Sequence, residues 1–218
     1  MRFHIYLILI LLLANNNAYA QHVLAEGTIN YDISIDPPAN QEGLLQYKGT
    51  YTIVVKGFSV KETLTLENGY VTTLLYNYRD STAYSLKKLS NKNYAIQLDL
   101  KTMQNRRKKY EGYTVTQLKG SKQIAGNTVN EAIVTYKNGI TSTIAYNSNL
   151  APGNIVFDNY PGIQYILLSF TNYNDDGTAI HFTAKSIDET PVENAVFRIP
   201  SSYKIISNAE YLQFTRSR

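Results

Sequence analysis

Few residues of this sequence have the types and spacing that enzymatic catalysis requires. His22 and His181 are the two histidines beyond residue 20, and no Gly-x-Ser-x-Gly motif presents a nucleophilic serine. A catalytic triad needs a nucleophile, a base and an orienting acid within hydrogen-bond reach. In "TAIHFTAK", Ile180, Phe182 and Ala184 share the apolar face, so His181 points to the opposite face. The sequence therefore predicts no catalytic residue and a non-enzymatic protein.

The acidic residues do not form a recognisable metal or glycosidase site. In "NYNDDGT", Asp175 and Asp176 precede Gly177, but a calcium loop needs further oxygen ligands at spaced positions. Asp-Gly is typical of a hairpin turn, which we expect here. No pair of acids is singled out for a glycosidase, the chain has no cysteine, and no glycine-rich phosphate loop occurs. We therefore expect neither a metal nor a cofactor.

The most basic segment is "NRRKKYEGY", residues 105–113. Such a run could contact acidic lipid head groups or nucleic acid. The net charge of the whole chain is only +4, however, and no second basic cluster lies nearby in the sequence. The run therefore indicates a solvent-exposed loop or helix end, and we expect no nucleic-acid partner.

The first twenty residues are typical of a secretory signal peptide. A short basic start, Met1–His4, precedes the apolar run Ile5–Ala14, which is shorter than the ~20 residues that span a bilayer. Ala18-Tyr19-Ala20 then provides a small-x-small cleavage site. We expect cleavage between Ala20 and Gln21, and a periplasmic or secreted protein.

The remaining chain, residues 21–218, is expected to form a single β-rich domain. The residue after the cleavage site is Gln21 and not the cysteine that would carry a lipid, and no second apolar run of membrane length follows, so no transmembrane segment is predicted. Without cysteine there is no disulfide scaffold. The 19 tyrosines suit half-buried sheet positions.

Alternation of apolar and polar residues predicts about a dozen antiparallel strands. In Glu26–Ile35, for example, Ile29, Tyr31 and Ile33 fall on one face. The other predicted strands are Tyr51–Lys56, Val60–Leu66, Val71–Tyr76, Thr82–Leu89, Tyr94–Leu98, Tyr113–Leu118, Ala132–Tyr136, Ile140–Tyr146, Ile163–Phe170, Thr178–Ile187 and Val196–Ile199. Only Leu100–Lys109 is a candidate for a short helix.

Three segments carry more specific expectations. "LTLENGYVTTLLY" predicts a hairpin with Asn68-Gly69 in a type I′ turn, whose two central residues have positive φ. "KQIAGNTVNEAIVTYKNG" alternates like a strand and ends at a turn that contains Asn138-Gly139. "IQYILLSF" is apolar on both faces, so both should be covered, and one could line a core or a cavity.

The segment "IAGNTVNEAIVTYKNG" resembles a motif of exported Bacteroidetes proteins of unknown function, the DUF4412/GLPGLI-like family. Ile124, Gly126 and Ala132 match its pattern. Asn127 stands where that family usually has tyrosine, and Val129 where it usually has cysteine. The missing cysteine removes any thiol chemistry that might be expected of the family.

Three other segments resemble the same family in order along the chain. They are the first strand "GTINYDISI", the Pro-Gly strand "YPGIQYILLSF" and the closing "ETPVENAVFRIPSSYKII". The fold of that family is similar to that of periplasmic lipoprotein carriers. The resemblance thus implies a strongly curved antiparallel sheet, a half-barrel of about a dozen strands with few short helices, and an apolar cavity on its concave side.

Our first functional hypothesis is a protein that binds an apolar ligand, a lipid or an acyl chain, in a cavity of the curved sheet. Plain core packing is the alternative for each candidate residue. The candidate lining consists of alternating apolar residues, namely Tyr31, Ile33, Tyr51, Ile53, Leu64, Leu66, Ile144 and Phe182.

Two other hypotheses stay open at this point. A cell-envelope interaction module would hold a protein partner on an exposed sheet edge or a tyrosine-rich face. A transmembrane β-barrel has the required strand count, but Lys87-Lys88 and the charged end Arg216-Ser217-Arg218 do not suit a lipid-facing surface.

Overall fold

Strands dominate the architecture. The computed structural model describes residues 21–38, 46–89 and 91–216, so the predicted signal peptide lies outside the described residues. The strands are β1 (His22–Val23), β2 (Glu26–Asp36), β3 (Tyr47–Lys56), β4 (Ser59–Leu66), β5 (Val71–Asn77), β6 (Thr82–Leu89), β7 (Lys92–Gln97), β8 (Thr114–Ile124), β9 (Asn127–Thr135), β10 (Thr141–Asn147), β11 (Leu150–Ala151), β12 (Ile166–Tyr173), β13 (Ala179–Asp188) and β14 (Lys204–Ser207). Two short helices, α1 (Leu100–Arg107) and α2 (Asn208–Arg216), and the 3₁₀ turns Lys108–Tyr110 and Asn194–Phe197 complete the secondary structure of this part of the chain.

Twelve of these strands form one sheet in the order β14-β7-β6-β5-β4-β3-β2-β13-β12-β10-β9-β8. Its pairs are antiparallel except for β14 with β7, while β1 and β11 form a separate parallel pair. The edge strands β8 and β14 do not pair with each other, so the sheet stays open. The predicted fold class, a mainly β protein built on one large curved antiparallel sheet with few short helices, is confirmed.

The turn between β4 and β5 differs from the predicted type I′ turn. Gly69 has φ +84°, but Asn68 does not have a positive φ. The Leu66 carbonyl accepts from the Gly69 amide (3.0 Å) and the Leu66 amide donates to the Tyr70 carbonyl (2.9 Å), which gives a three-residue turn with glycine in the left-handed position. The Asn68 side chain accepts from the Tyr70 amide, which suits this geometry.

A true two-residue turn lies instead at Ala125-Gly126, where both residues have positive φ, +51° and +74°. It joins β8 and β9 into a hairpin in which Ile124 pairs with Asn127. The sequence did not predict this hairpin, since Ala-Gly is a weaker turn signature than Asn-Gly. As a result β8 extends to Ile124, well beyond the predicted end at Leu118.

The C-terminal segment is where the strand predictions are wrong. Val196–Ile199 is not a strand, because residues 194–197 form a 3₁₀ turn and Pro200 follows directly. The real strand is β14, which pairs in parallel with β7. Helix α2 follows it, and its first turn is fixed by a capping box in which the Ser207 amide donates to Glu210 Oε2 (2.7 Å) and the Glu210 amide donates to Ser207 Oγ (3.2 Å).

The core lies mainly on one face of the sheet, called here the inner face, which bears Tyr31, Phe170 and Phe182. The Phe170 ring stacks on the Phe182 ring at 4.5 Å between centroids, and the Phe157 ring meets Phe170 edge-on at 5.3 Å. Phe157 belongs to the connection between β11 and β12, which therefore covers this part of the inner face. The buried residues Ile166–Leu168 confirm that both faces of "IQYILLSF" are covered.

Candidate functional site

An open cleft of about 920 Å³ lies on the inner face. The paired strands β4 to β7 and β14 bring one residue each into a row across the sheet, and three members of this row, Leu74, Ser85 and Ile96, form the floor of the cleft. Register gives the row as Glu62, Leu74, Ser85, Ile96 and Ile206. Three of the five are aliphatic, so this half of the sheet offers an apolar surface interrupted by one hydroxyl and one carboxyl group.

Helix α1 and the 3₁₀ turn after it border the cleft and are tied to the two elements opposite them. Arg107 Nε donates to Asp158 Oδ1 at 2.7 Å, which joins α1 to the connection between β11 and β12. Lys109 forms an ion pair with Asp175 in the turn between β12 and β13. The Tyr110 hydroxyl donates to the Tyr173 carbonyl at 3.3 Å. These contacts hold the helix beside the cleft.

Both basic residues belong to the run "NRRKKYEGY", which the sequence indicated to be solvated. Lys109 is largely exposed, but the Arg107 side chain is 18% exposed and lines the cleft together with Lys109. The sequence contained one usable sign of this arrangement, since "NYNDDGT" supplies acids in a turn that a basic segment can pair with. Nothing in the local pattern brings the two segments together.

Glu62 is the one acid on the apolar face of β4, and its surroundings change its ionisation. Burial, and then the negative charge of Asp158, raise the pKa of the Glu62 carboxyl from 4.5 to about 7. A hydrogen bond from Tyr51 and the positive charge of Arg107 oppose this shift. The Glu62 side chain is half-buried.

One polar atom at the cleft has no hydrogen-bond partner among the described residues. Asn172 Oδ1 is buried and accepts no hydrogen bond, and Asn172 lines the cleft at the end of β12. A buried acceptor without a donor costs about 1–3 kcal/mol. A hydroxyl or N–H group in the cleft would remove that cost.

The eight residues predicted to line a ligand cavity lie together but not at this cleft. Tyr31, Ile33, Ile53, Leu66, Ile144 and Phe182 are buried members of one core cluster, and Tyr51 and Leu64 pack against it. The cleft is bounded by other residues of the same inner face. That the eight bind a ligand stays a prediction.

A hydrogen-bonded row on the opposite face contains the histidine considered for catalysis. Thr171 Oγ1 and His181 Nδ1 are 2.9 Å apart, and His181 Nε2 lies 2.9 Å from Asp36 Oδ2. The His181 and Asp36 side chains are 40% and 46% exposed, and none of the three residues lines the cleft. The row ties β12, β13 and β2 together.

The described residues contain no group of three or more His, Asp or Glu side chains that could hold a metal ion. No helix in this part of the chain has the length and apolar character needed to cross a membrane.

No protein-family model and no curated protein sequence matches the chain. Several solved structures do. An uncharacterized conserved protein from Thermus thermophilus has a TM-score of 0.51 and 6% sequence identity, and the match covers 85% of this chain and 93% of that one. At this identity the likeness shows a shared fold and nothing further.

Two other solved structures match with lower TM-scores. MucB matches with a TM-score of 0.46 and 11% identity over 87% of this chain, which spans 63% of the length of MucB. A LolA superfamily protein from Nitrosomonas europaea matches with a TM-score of 0.39 and 12% identity, over 84% of this chain and 94% of that one. Since both TM-scores are below 0.5, neither likeness supports a functional argument, and the relationship to the DUF4412/GLPGLI-like family stays a prediction.

Proposed function

We propose that this protein is a non-enzymatic, exported binding protein that holds a lipid or acyl chain in the inner-face cleft. The observation that carries the proposal is the cleft, whose volume of about 920 Å³ lies within the range of ligand sites, roughly 300–1,000 Å³. Its floor is the row formed by Leu74, Ser85 and Ile96, and Met103 and Ile180 add apolar surface at its sides.

The polar atoms of the cleft favour an amphiphile over a plain hydrocarbon. Ion-paired side chains, amide groups and tyrosines share the lining with the aliphatic residues. The unpartnered Asn172 Oδ1 adds one polar position to the lining, at which a donor group would satisfy the buried acceptor. In this proposal the eight residues predicted from the sequence do not contact the ligand. They form the packed layer beside the cleft and support the shape of the cleft.

Export supports the same proposal. The predicted signal peptide, residues 1–20, would place the chain in the periplasm or outside the cell. Cytosolic proteins cannot carry lipids there, so an exported protein would have to bind them. The resemblance to the DUF4412/GLPGLI-like family, with its carrier-like fold, agrees with this location.

The proposal is tested by isolating the full-length protein from its native envelope without detergent and analysing an organic extract of it by mass spectrometry. We expect a stoichiometric lipid or fatty-acyl compound. Leu74→Trp, which fills the floor of the cleft, should abolish copurification. Thr183→Trp, on the exposed outer face of β13, is the matched control and should retain the compound. A folded wild-type protein that carries no lipid and binds none when it is supplied contradicts the proposal.

A second candidate function, an envelope protein-interaction module, is favoured by the edge strand β8. Every residue of β8 except Ile124 is exposed, and Val115 and Leu118 are exposed apolar side chains. An edge of eleven residues can accept a partner strand. A bulge between Gln117 and Ser121 interrupts it, however, which is a common protection against such pairing. Crosslinking of one defined partner to β8, in a protein without bound lipid, would favour this function.

A further inference from the structure

The charges that line the cleft are unevenly paired. Arg107 is paired with Asp158, and Lys109 with Asp175. Lys87 lines the same cleft, but no carboxylate of the described residues lies within ion-pair distance of its ammonium group. Its Nζ lies instead 5.4 Å from the centre of the Tyr211 ring. Among the described residues, the cleft therefore contains one cation whose charge the protein leaves unpaired.

The surroundings of Lys87 restrict where its ammonium group can go. Lys87 is half-buried on β6, opposite Tyr94 on β7. Helix α2 packs against this end of the sheet, with Tyr211 facing Lys87 and the Phe214 ring 6.0 Å from the Tyr94 ring. The capping box at Ser207 fixes the first turn of α2 and therefore the position of Tyr211. The contact between a cation and an aromatic ring at a protein surface is weak, which leaves the charge of Lys87 available to a ligand.

Lys87 lies next to the apolar floor of the cleft and on the same face of the sheet. Ser85 belongs to the floor row, and Lys87 is two residues further along the same strand, so both side chains point to the inner face. The distance between them along β6 is about 7 Å. A chain that lies over Leu74 and Ile96 would bring a terminal head group beside Lys87 without leaving the cleft.

We propose that the cleft selects a single-chain amphiphile with a negatively charged head group, and that Lys87 binds this group. The inference rests on the proposed function, because it names the class of ligand for the same cleft. Of the three acids in the lining, Asp158 and Asp175 are held by Arg107 and Lys109, and among the described residues no ion pair joins Asp99 to Lys87. A carboxylate beside Lys87 would form the ion pair that the described residues do not make by themselves.

The test compares three ligands of equal chain length with different head groups, namely dodecanoate, dodecanol and dodecylamine. Each is titrated calorimetrically into the delipidated full-length protein near neutral pH, below its critical micelle concentration. A charge-assisted hydrogen bond is expected to favour dodecanoate over dodecanol by roughly tenfold in Kd, and dodecylamine should bind more weakly than dodecanol. Raising the salt concentration should reduce the preference for dodecanoate.

Variants at two neighbouring lysines identify the group responsible. Lys87→Met should remove the roughly tenfold preference for dodecanoate over dodecanol, while Lys87→Arg should retain this preference. Lys88→Met is the control and should behave like the wild type, because the Lys88 side chain is exposed on the opposite face of the same strand. Equal binding of all three ligands, or a Lys87→Met variant that keeps the preference, overturns the inference and leaves the proposed function intact. Binding of none of the three overturns both.

Discussion

The guanidinium of Arg107 and the carboxylate of Asp158 meet at 2.7 Å and join helix α1 to the connection that covers the aromatic core. The two residues come from parts of the chain that share no strand, so their contact fixes the position of α1 beside the cleft. The Arg107 side chain is 18% exposed and that of Asp158 60% exposed. Solvent therefore partly screens the ion pair. We expect the pair to hold helix α1 in place and to contribute little to the stability of the whole protein.

We expect Asp158→Asn to loosen α1 with little effect on the rest of the fold. Global stability should fall by at most about 1 kcal/mol, because the pair is near the surface. Hydrogen exchange of the α1 amides should accelerate, whereas that of the β2 and β13 amides should not change. Asp80→Asn, in the exposed turn after β5, is a control that should leave α1 unaffected. Unchanged exchange in α1 would show that the ion pair does not hold the helix.

Glu62 predicts a pH dependence of stability near neutrality. Its pKa in the folded protein, about 7, is above the value of 4.5 expected in the unfolded chain, so the folded state binds more protons between these values. Stability should therefore fall as pH rises from about 4.5 to about 7 and then level off. The full shift would correspond to about 3 kcal/mol, and the partial exposure of Glu62 makes the real effect smaller.

The variant Glu62→Gln measures this effect directly, since its amide cannot ionise. Its free energy of unfolding in urea should exceed that of the wild type near pH 8 and approach it near pH 5. The pKa values of Asp36, Glu26 and Glu210 are lowered, so these carboxyl groups change the stability only at lower pH. Both proteins contain them, so they do not contribute to the difference in stability between the variant and the wild type. Glu67→Gln, in an exposed turn, should track the wild type at every pH. A stability difference that does not vary with pH would contradict the proposed ionisation of Glu62.

The Tyr31 hydroxyl donates to the Leu167 carbonyl at 2.8 Å inside the core. Tyr31→Phe should destabilise the protein by about 1–2 kcal/mol, because a buried carbonyl loses a hydrogen-bond donor. Ligand binding should be unaffected, since Tyr31 does not line the cleft. Chemical denaturation and dodecanoate titration of the same variant separate the two effects. A weaker Kd with unchanged stability would instead place Tyr31 in the binding site, as the sequence predicted.

Period-2 alternation sufficed to predict most of the sheet, because each strand of an open sheet with one buried face has this pattern. It also placed Tyr31, Ile53 and Phe182 correctly on one shared face. The alternation cannot show which part of that face is covered by a connecting segment and which part stays open. That difference separates the predicted lining from the observed cleft.

The features that the sequence did not predict are contacts between distant segments and short elements near the C-terminus. Lys109 and Asp175 are 66 positions apart, and neither local pattern depends on the other. Strand β14 has only four residues and takes its place by pairing with β7, so its sequence contains too few alternating positions to be recognised. The capping box at Ser207 and Glu210 was the available sequence sign of helix α2.

The Ala125-Gly126 turn gives the last prediction. Ala125 has φ +51°, a left-handed conformation that costs a residue with a Cβ atom roughly 1 kcal/mol. Ala125→Gly removes that strain but gives the unfolded chain more freedom, which opposes the gain. We expect a net stabilisation of about 0.5 kcal/mol, measured as a higher urea midpoint with an unchanged slope. Ala209→Gly, in the exposed first turn of α2, should have the opposite sign, because glycine is less favourable than alanine in a helix. If both glycine variants are destabilised equally, the turn at Ala125 is not strained.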